Sequence, residues 1–332
     1  MVLDPQAEIG KSVRRGSVKA LLDGFFAPQP LERLVFLRIF TPLAILGFLS
    51  LRMAHPGDWL SMEGFAIPDL NGPEWRQPLY LSPLPVWAAW MVCGILAVSA
   101  LMLSAGFRTP WVAGIFAATL TYVTLADRMS AFTVNKLGSV LILALIFTPC
   151  GKSHGVDAWL DAKKGRLPPT HCTWGNIRFF QALLLVMYAM SGVAKWNGDW
   201  LGEPMLLWTH LHDSYQTAAS YFAARHFPEG VWPVLRWVVL GFELLAPLWF
   251  ILPWTRIPAL FTGLGMHLFI GLFFGPVIWF SLLMSVLLFA CFAPISWFAP
   301  FRAAQSAGGG IAGEGRPPST QLSFGNVRRK IR

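Results

Sequence analysis

Ionisable side chains inside apolar runs are the first features to weigh in this sequence: Arg38, Lys136, Lys195, Glu243 and His267, with Asn135 and Asp127 close by. Charge at membrane depth is costly, so each is a functional candidate. Lys195 is the sharpest. It lies in MYAMSGVAKWNGDW, where Ser191, Gly192 and Ala194 are small enough for another helix or a flat ligand to approach closely. A lysine in a water-poor pocket favours its neutral form, because burial penalises the charged one. A neutral amine can then take a proton from a weak acid. The same residue also reads as an interfacial lysine, its ammonium reaching outward to pair with Asp199.

His267, in GLGMHLFIGLFF, could relay protons or hydrogen-bond a ligand carbonyl; equally, a neighbouring backbone or hydroxyl group could satisfy it. Glu243, in VLGFELLAPLWF, is expected to pair with Arg38 or Lys136. Asp127 and Arg128 read as a local pair at a span end, and Arg178 and Arg236 as span-end residues reaching the headgroups. Phosphate loops, HExxH helices and nucleophile elbows do not occur. His210 and His212 lack metal spacing, and Cys93, Cys150, Cys172 and Cys291 show neither ligand spacing nor an external pair. Neither a metal site nor a structural disulfide is expected.

The elements that must position these residues follow from composition. Only 13% of the 332 residues are charged, against about 25% in a soluble domain, while 55% are hydrophobic, with 16 Trp and 26 Phe. That balance predicts lipid as the solvent. Since one helical crossing takes roughly 20 apolar residues, the apolar runs mark spans at 32–52, 84–105, 110–127, 131–149, 174–196, 232–252, 257–275 and 277–297. The last two meet at Gly275-Pro276, which reads as a tight hairpin or as a kink in one long helix. The fold class expected is an all-α integral membrane protein, a polytopic bundle of about eight transmembrane helices with short interfacial helices.

Charge supports the hairpin. Lys11, Arg14, Arg15, Lys19, Arg33, Arg108, Lys152, Lys163, Lys164, Arg166, Arg256 and the basic tail through Arg332 fall on one side. The other side holds few cations and collects Asp58, Glu63, Asp69, Glu74, Asp199, Glu203, Asp213 and Glu229. The positive-inside rule then puts both termini in the cytoplasm. The net charge of +9 is a topology signal by this reading, and no nucleic acid partner is expected. No cleaved leader is expected in the first 30 residues.

Residues 1–30 are read as a cytoplasmic segment in which 17–27 form an amphipathic helix on the inner surface or a plain tail. Residues 31–300 are the transmembrane domain, and 301–332 a flexible basic tail whose closing RRKIR touches anionic lipid or is merely solvated. The loop 53–83 is expected to fold over the outer face, and 197–231 to hold one or two short amphipathic helices.

Three segments carry a family resemblance: GVDAWLD (155–161), YAMSGVAKWNGDWLGE (188–203) and MHLFIGLFFGPVIWFSLLM (266–284). With LRIFTPLAILGF and FELLAP, they make roughly residues 17–300 similar to the membrane core of vitamin K-dependent γ-glutamyl carboxylase. They also resemble the related bacterial HTTM (horizontally transferred transmembrane) domain, which implies a bacterial-type plasma membrane. The second segment resembles YxxAGxxKxxxDW, whose lysine is that family's proposed base. The resemblance implies that Lys195 deprotonates a hydroquinone to start oxygen-coupled epoxidation, with Asn135, Lys136 and His267 as further catalytic residues. It places Tyr188, Gly192, Trp200 and Glu243 around the vitamin K hydroquinone-like lipid. The carboxylase pattern has a His near the start of the fourth span, where Asn135-Lys136 stand here, and a large C-terminal extracytoplasmic domain that this sequence does not show. The quinol half of the chemistry is therefore expected rather than carboxylation of a protein.

Two functions stand at this stage. One is a membrane enzyme acting on a quinol or other lipid-soluble substrate through Lys195. The other is a non-catalytic module that binds lipid or a partner protein. A proton-coupled transporter using Glu243 and His267 is weaker, because repeated halves and paired broken helices are not visible.

Overall fold

The computed structural model describes residues 22–65, 83–126, 132–166, 168–173, 175–212 and 216–299, with 19, 81 and 301. Each apolar run becomes a helix: α1 (Glu32–Met53), α3 (Val86–Ala105), α4 (Thr109–Ala126), α5 (Thr133–Ile146), α7 (Ile177–Trp196), α10 (Val231–Ile251), α11 (Arg256–Phe273) and α12 (Ile278–Phe292). Six are long and apolar enough to cross a membrane, whereas α5 and α12 are shorter. The chain is an all-α, multi-pass membrane protein.

The two short helices stop where proline forces them to. Pro149 lies just beyond α5 and Pro294 just beyond α12, and a proline disfavours helical geometry in the residue before it. Ala293 is accordingly extended, at φ −61° and ψ 146°. Gly275–Val277 form a 3-10 turn between α11 and α12, which pack against each other. The Gly275-Pro276 signal is therefore a hairpin and not a kink.

The connecting elements are short: α2 (Pro56–Leu60), α6 (Val156–Lys163), α8 (Leu206–Leu211) and α9 (Ala218–His226). Strand β1 (Gln29–Pro30) pairs antiparallel with β2 (His171–Cys172), in the register Gln29 with Cys172 and Pro30 with His171. Thr217 and Ser220 close a capping box at the start of α9, so the segment 197–231 does hold two short helices.

Helices α1 and α12 form the centre. α1 packs on α3, α5 and α12, while α12 also meets α7 and α11. α12 buries most of its side chains, from Leu283 and Met284 to Leu287, Leu288 and Cys291, and leaves Ile278 and Leu282 exposed. A helix apolar on every face belongs inside a bundle. Outer helices instead turn Trp87, Val186, Val234 and Phe261 outward, where lipid replaces water as their solvent.

Polar side chains at the helix ends satisfy backbone groups that lipid could not. Arg33 donates to the Ala290 and Ala293 carbonyls at the end of α12, at 2.7 and 2.6 Å. Asp157 accepts from the Arg108 and Thr109 amides at the start of α4, at 2.8 and 2.9 Å. The GVDAWLD loop is thus a cap for a neighbouring helix. Arg38 is fully buried and donates to the carbonyls of Cys150 (2.9 Å), Ser153 (3.1 Å) and His154. Its role is to hold the loop between α5 and α6, which corrects the expectation that it pairs with Glu243. Gly106 caps α3 with φ +71°, directly against the Arg38 guanidinium, where a side chain would be both strained and obstructed. The four cysteines are free thiols.

Several expectations fall on residues outside those described: the segment up to 18 with 20–21, the middle of the 53–83 loop, Asp127-Arg128, and the tail beyond 301.

Candidate functional site

Helices α7, α10, α11 and α12 do not close on one another at one end. They surround an apolar cavity of about 800 Å³, to which Thr133 at the start of α5 and Leu207 and His210 of α8 also contribute. That is within the range of small-molecule sites, roughly 300–1,000 Å³. Met187, Phe242, Met266, Phe280 and Met284 make most of the wall adaptable and apolar.

Polar chemistry enters this wall at two places. At the first, the Lys195 ammonium donates to both oxygens of Glu243, at 2.8 and 2.6 Å, and to Ser191 Oγ at 2.8 Å. Ser191 precedes Lys195 by four residues, so both lie on one face of α7, and the long side chain folds back along the helix to reach it. The Glu243 side chain is 9% exposed and that of Lys195 24% exposed. The lysine also stands 5.4 Å from the centre of the Trp200 ring, a cation–π distance. At the second place, the Tyr188 hydroxyl and His267 Nε2 are 2.8 Å apart and both residues are buried.

The helices are brought together by a small residue and an arginine. A Cβ on Gly192 would lie 2.9 Å from Leu244, so glycine is what lets α7 approach α10 closely enough for Lys195 to meet Glu243. On the far side of Lys195, Trp200 Nε1 donates to the Arg236 carbonyl at 3.1 Å, and Arg236 Nη1 donates to the Leu201 carbonyl at 3.3 Å. Arg236 is 5% exposed and braces the chain after α7 against α10 instead of reaching the headgroups.

Among the expected site residues, the structure gathers Lys195, Glu243, Tyr188, His267 and Trp200 on one cavity. It does not bring Asn135 or Lys136 there: Asn135 is buried on α5 and Lys136 is exposed, and Thr133 is the residue of that helix on the wall. Gly192 does not line the cavity and serves the helix contact. Glu243 pairs with Lys195, which corrects both the pairing of Glu243 with Arg38 or Lys136 and the pairing of Lys195 with Asp199. Sequence reasoning missed the Ser191 hydrogen bond, although its i, i+4 spacing was visible, and it missed His210. Nδ1 of His210 bonds the Leu206 carbonyl at 2.7 Å, an ordinary helical contact without a sequence signal. Among the described residues no group of His, Cys, Asp and Glu could hold a metal ion.

A protein-family model described as the HTTM domain matches residues 69–297, a stretch that contains α3 to α12 and the whole cavity. No curated protein and no solved structure matches the chain.

Proposed function

The chain belongs to the HTTM domain family, and on that premise we propose that its cavity binds a quinol or similar lipid-soluble hydroxyl compound and deprotonates it with the Lys195–Glu243 pair. The observation that carries this reading is an amine held bidentate by a carboxylate on the wall of an apolar, ligand-sized cavity. In this reading Lys195 reacts as the free amine facing the cavity, with Glu243 beside it. The substrate hydroxyl then gives its proton to Lys195, and the new ammonium stays beside the substrate oxyanion it created. One proton leaves the substrate, and the pair gains one.

The lining supports this occupant. Met187, Phe242, Phe280 and Met284 suit an aromatic ring, and Trp200 closes the polar end over Lys195. The resemblance of YAMSGVAKWNGDW to the carboxylase lysine segment points the same way. The positive residues of the loops favour cytoplasmic N and C termini, which puts the Lys195 end of α7 at the outer face, and the HTTM resemblance favours a bacterial-type plasma membrane.

A second reading rests on the same pair. A part-buried ion pair beside the Gly192–Leu244 contact can simply lock α7 to α10, leaving a non-catalytic module that holds lipid. One experiment separates the two. Protein extracted in mild detergent is analysed by native mass spectrometry for co-purifying lipid, alongside Lys195→Met. Retention of a quinone by the wild type and its loss from the variant supports the enzyme. An ordinary phospholipid retained equally by both sinks it and supports the lipid-holding module.

A further inference from the structure

The cavity is not the only apolar hollow on α10. A groove of about 430 Å³ runs along the outside of α10 and α11, with Val234, Trp237, Gly241 and Leu245 on the α10 side. Their spacing of three to four residues puts them on one helix face, and Val234, Trp237 and Leu245 are 61, 51 and 42% exposed. The polar atom of Thr262, across on α11, is turned back onto its own helix and donates to the Pro258 carbonyl at 3.0 Å. Apart from the Trp237 and Trp249 indoles, the groove therefore presents an apolar lining. On an apolar outer face of a membrane protein, hydrocarbon chains are what fill such a surface.

Val238, Phe242 and Thr262 line both this groove and the cavity. The two hollows therefore adjoin between α10 and α11, and Val238 and Thr262 are themselves exposed there. A chain lying in the groove therefore touches side chains that also line the cavity.

We propose that the groove is a tail subsite: the compound handled in the cavity carries a long hydrocarbon chain, enters sideways from the bilayer between α10 and α11, and leaves that chain in the groove. The proposal rests on the ligand-binding reading above and narrows its substrate class to a ring with a membrane-embedded tail. Bulk lipid occupies the groove before the substrate arrives, so the exchange of one chain for another is close to neutral. What the groove supplies is an exit for the tail while the ring sits by Lys195.

Gly241 allows a direct test, because a Cβ there meets nothing within 4 Å. Gly241→Leu fills the groove from a position whose Cβ has open space, and Leu245→Trp, at a residue that lines the groove and not the cavity, fills it from the same face. A dimethoxyhydroquinone without a chain, and the same ring with a decyl chain, both kept reduced under nitrogen, are titrated against full-length protein in phosphatidylcholine nanodiscs, referenced to empty nanodiscs. Both rings are expected to bind the wild type. Each variant is expected to weaken the decyl compound about ten-fold while leaving the chainless ring unchanged. Unchanged binding of the decyl compound to both variants overturns the tail subsite and leaves the ring site standing. An equal loss for both rings also overturns it, since the substitutions would then be acting on the ring. If neither ring binds the wild type, the quinol reading falls, and the subsite with it.

Discussion

The Tyr188 hydroxyl on α7 and Nε2 of His267 on α11 lie 2.8 Å apart, with Tyr188 3% and His267 2% exposed. A phenol and an imidazole share one hydrogen bond there, so the tautomer of His267 and the rotor of Tyr188 are set together. This bond ties the middle of α7 to α11, just as the Lys195–Glu243 pair ties its end to α10. Tyr188→Phe leaves Nε2 buried without this partner and should cost about 1–3 kcal/mol. Tyr188→Phe combined with His267→Leu should recover part of that loss, because both polar groups are then gone. Thermal unfolding in detergent reads both variants.

The ion pair should show the same asymmetry more strongly. Lys195→Met strands a carboxylate that is 9% exposed and should destabilise the protein by about 2–3 kcal/mol, less than a fully enclosed pair because the Lys195 side chain is 24% exposed. Lys195→Met with Glu243→Leu should regain most of this stability and still fail in proton transfer. If the double variant unfolds as early as the single one, the two residues are not coupled as described.

Two glycines near the site should respond in opposite ways. Gly192→Ala puts a methyl 2.9 Å from Leu244, so α7 and α10 must separate, at about 1–3 kcal/mol. Gly265→Ala, on the cavity wall, meets nothing within 4 Å and should be neutral, or stabilising by up to about 1 kcal/mol through helix propensity. Melting temperatures of the two variants, side by side, decide this.

Arg38→Met should act locally. It removes the donor shared by the Cys150, Ser153 and His154 carbonyls. Three acceptors lose their charged partner, at about 3 kcal/mol or more in total. Amide hydrogen exchange should rise across residues 150–157 while α10 and α11 keep their protection. Equal acceleration in both regions would mean that Arg38 supports the whole bundle.

The same loop gives a pH dependence. Burial, with the Arg38 guanidinium next in effect, holds the His154 imidazole below its ordinary value of 6.5, against a smaller opposite pull from Glu32. The unfolded chain therefore takes up a proton more readily than the folded one. The contribution of His154 to stability is complete above pH 6.5 and is lost as the pH falls below it. His154→Asn should flatten unfolding midpoints between pH 7 and pH 5, and an unchanged slope would remove His154 from the account.

Legibility in the sequence followed solvent and period. Lipid leaves a composition signal and a minimum helix length, so the apolar runs, the Gly275-Pro276 hairpin and the two short helices between Leu206 and His226 could be read one residue after another. Proline also marks the ends of α5 and α12, each of which stops short of the apolar run that contains it. Lys195, Glu243 and His267 declared themselves because charged or titratable groups are rare in such helices.

Partners could not be read in the same way. Glu243 had several cations to choose from in the sequence. Its choice of Lys195 depends on Gly192 admitting Leu244, a contact between α7 and α10 that no local pattern encodes. Arg38 looked like a site residue and proved to be a loop anchor, while Asn135 and Lys136 turned away from the cavity that Thr133 reaches. Sequence by itself determined which segments must be helices in lipid, since each segment meets that solvent alone. Only the tertiary structure decided which helices meet and at what rotation, and so which charges share one cavity, because a few ångströms between backbones set those contacts.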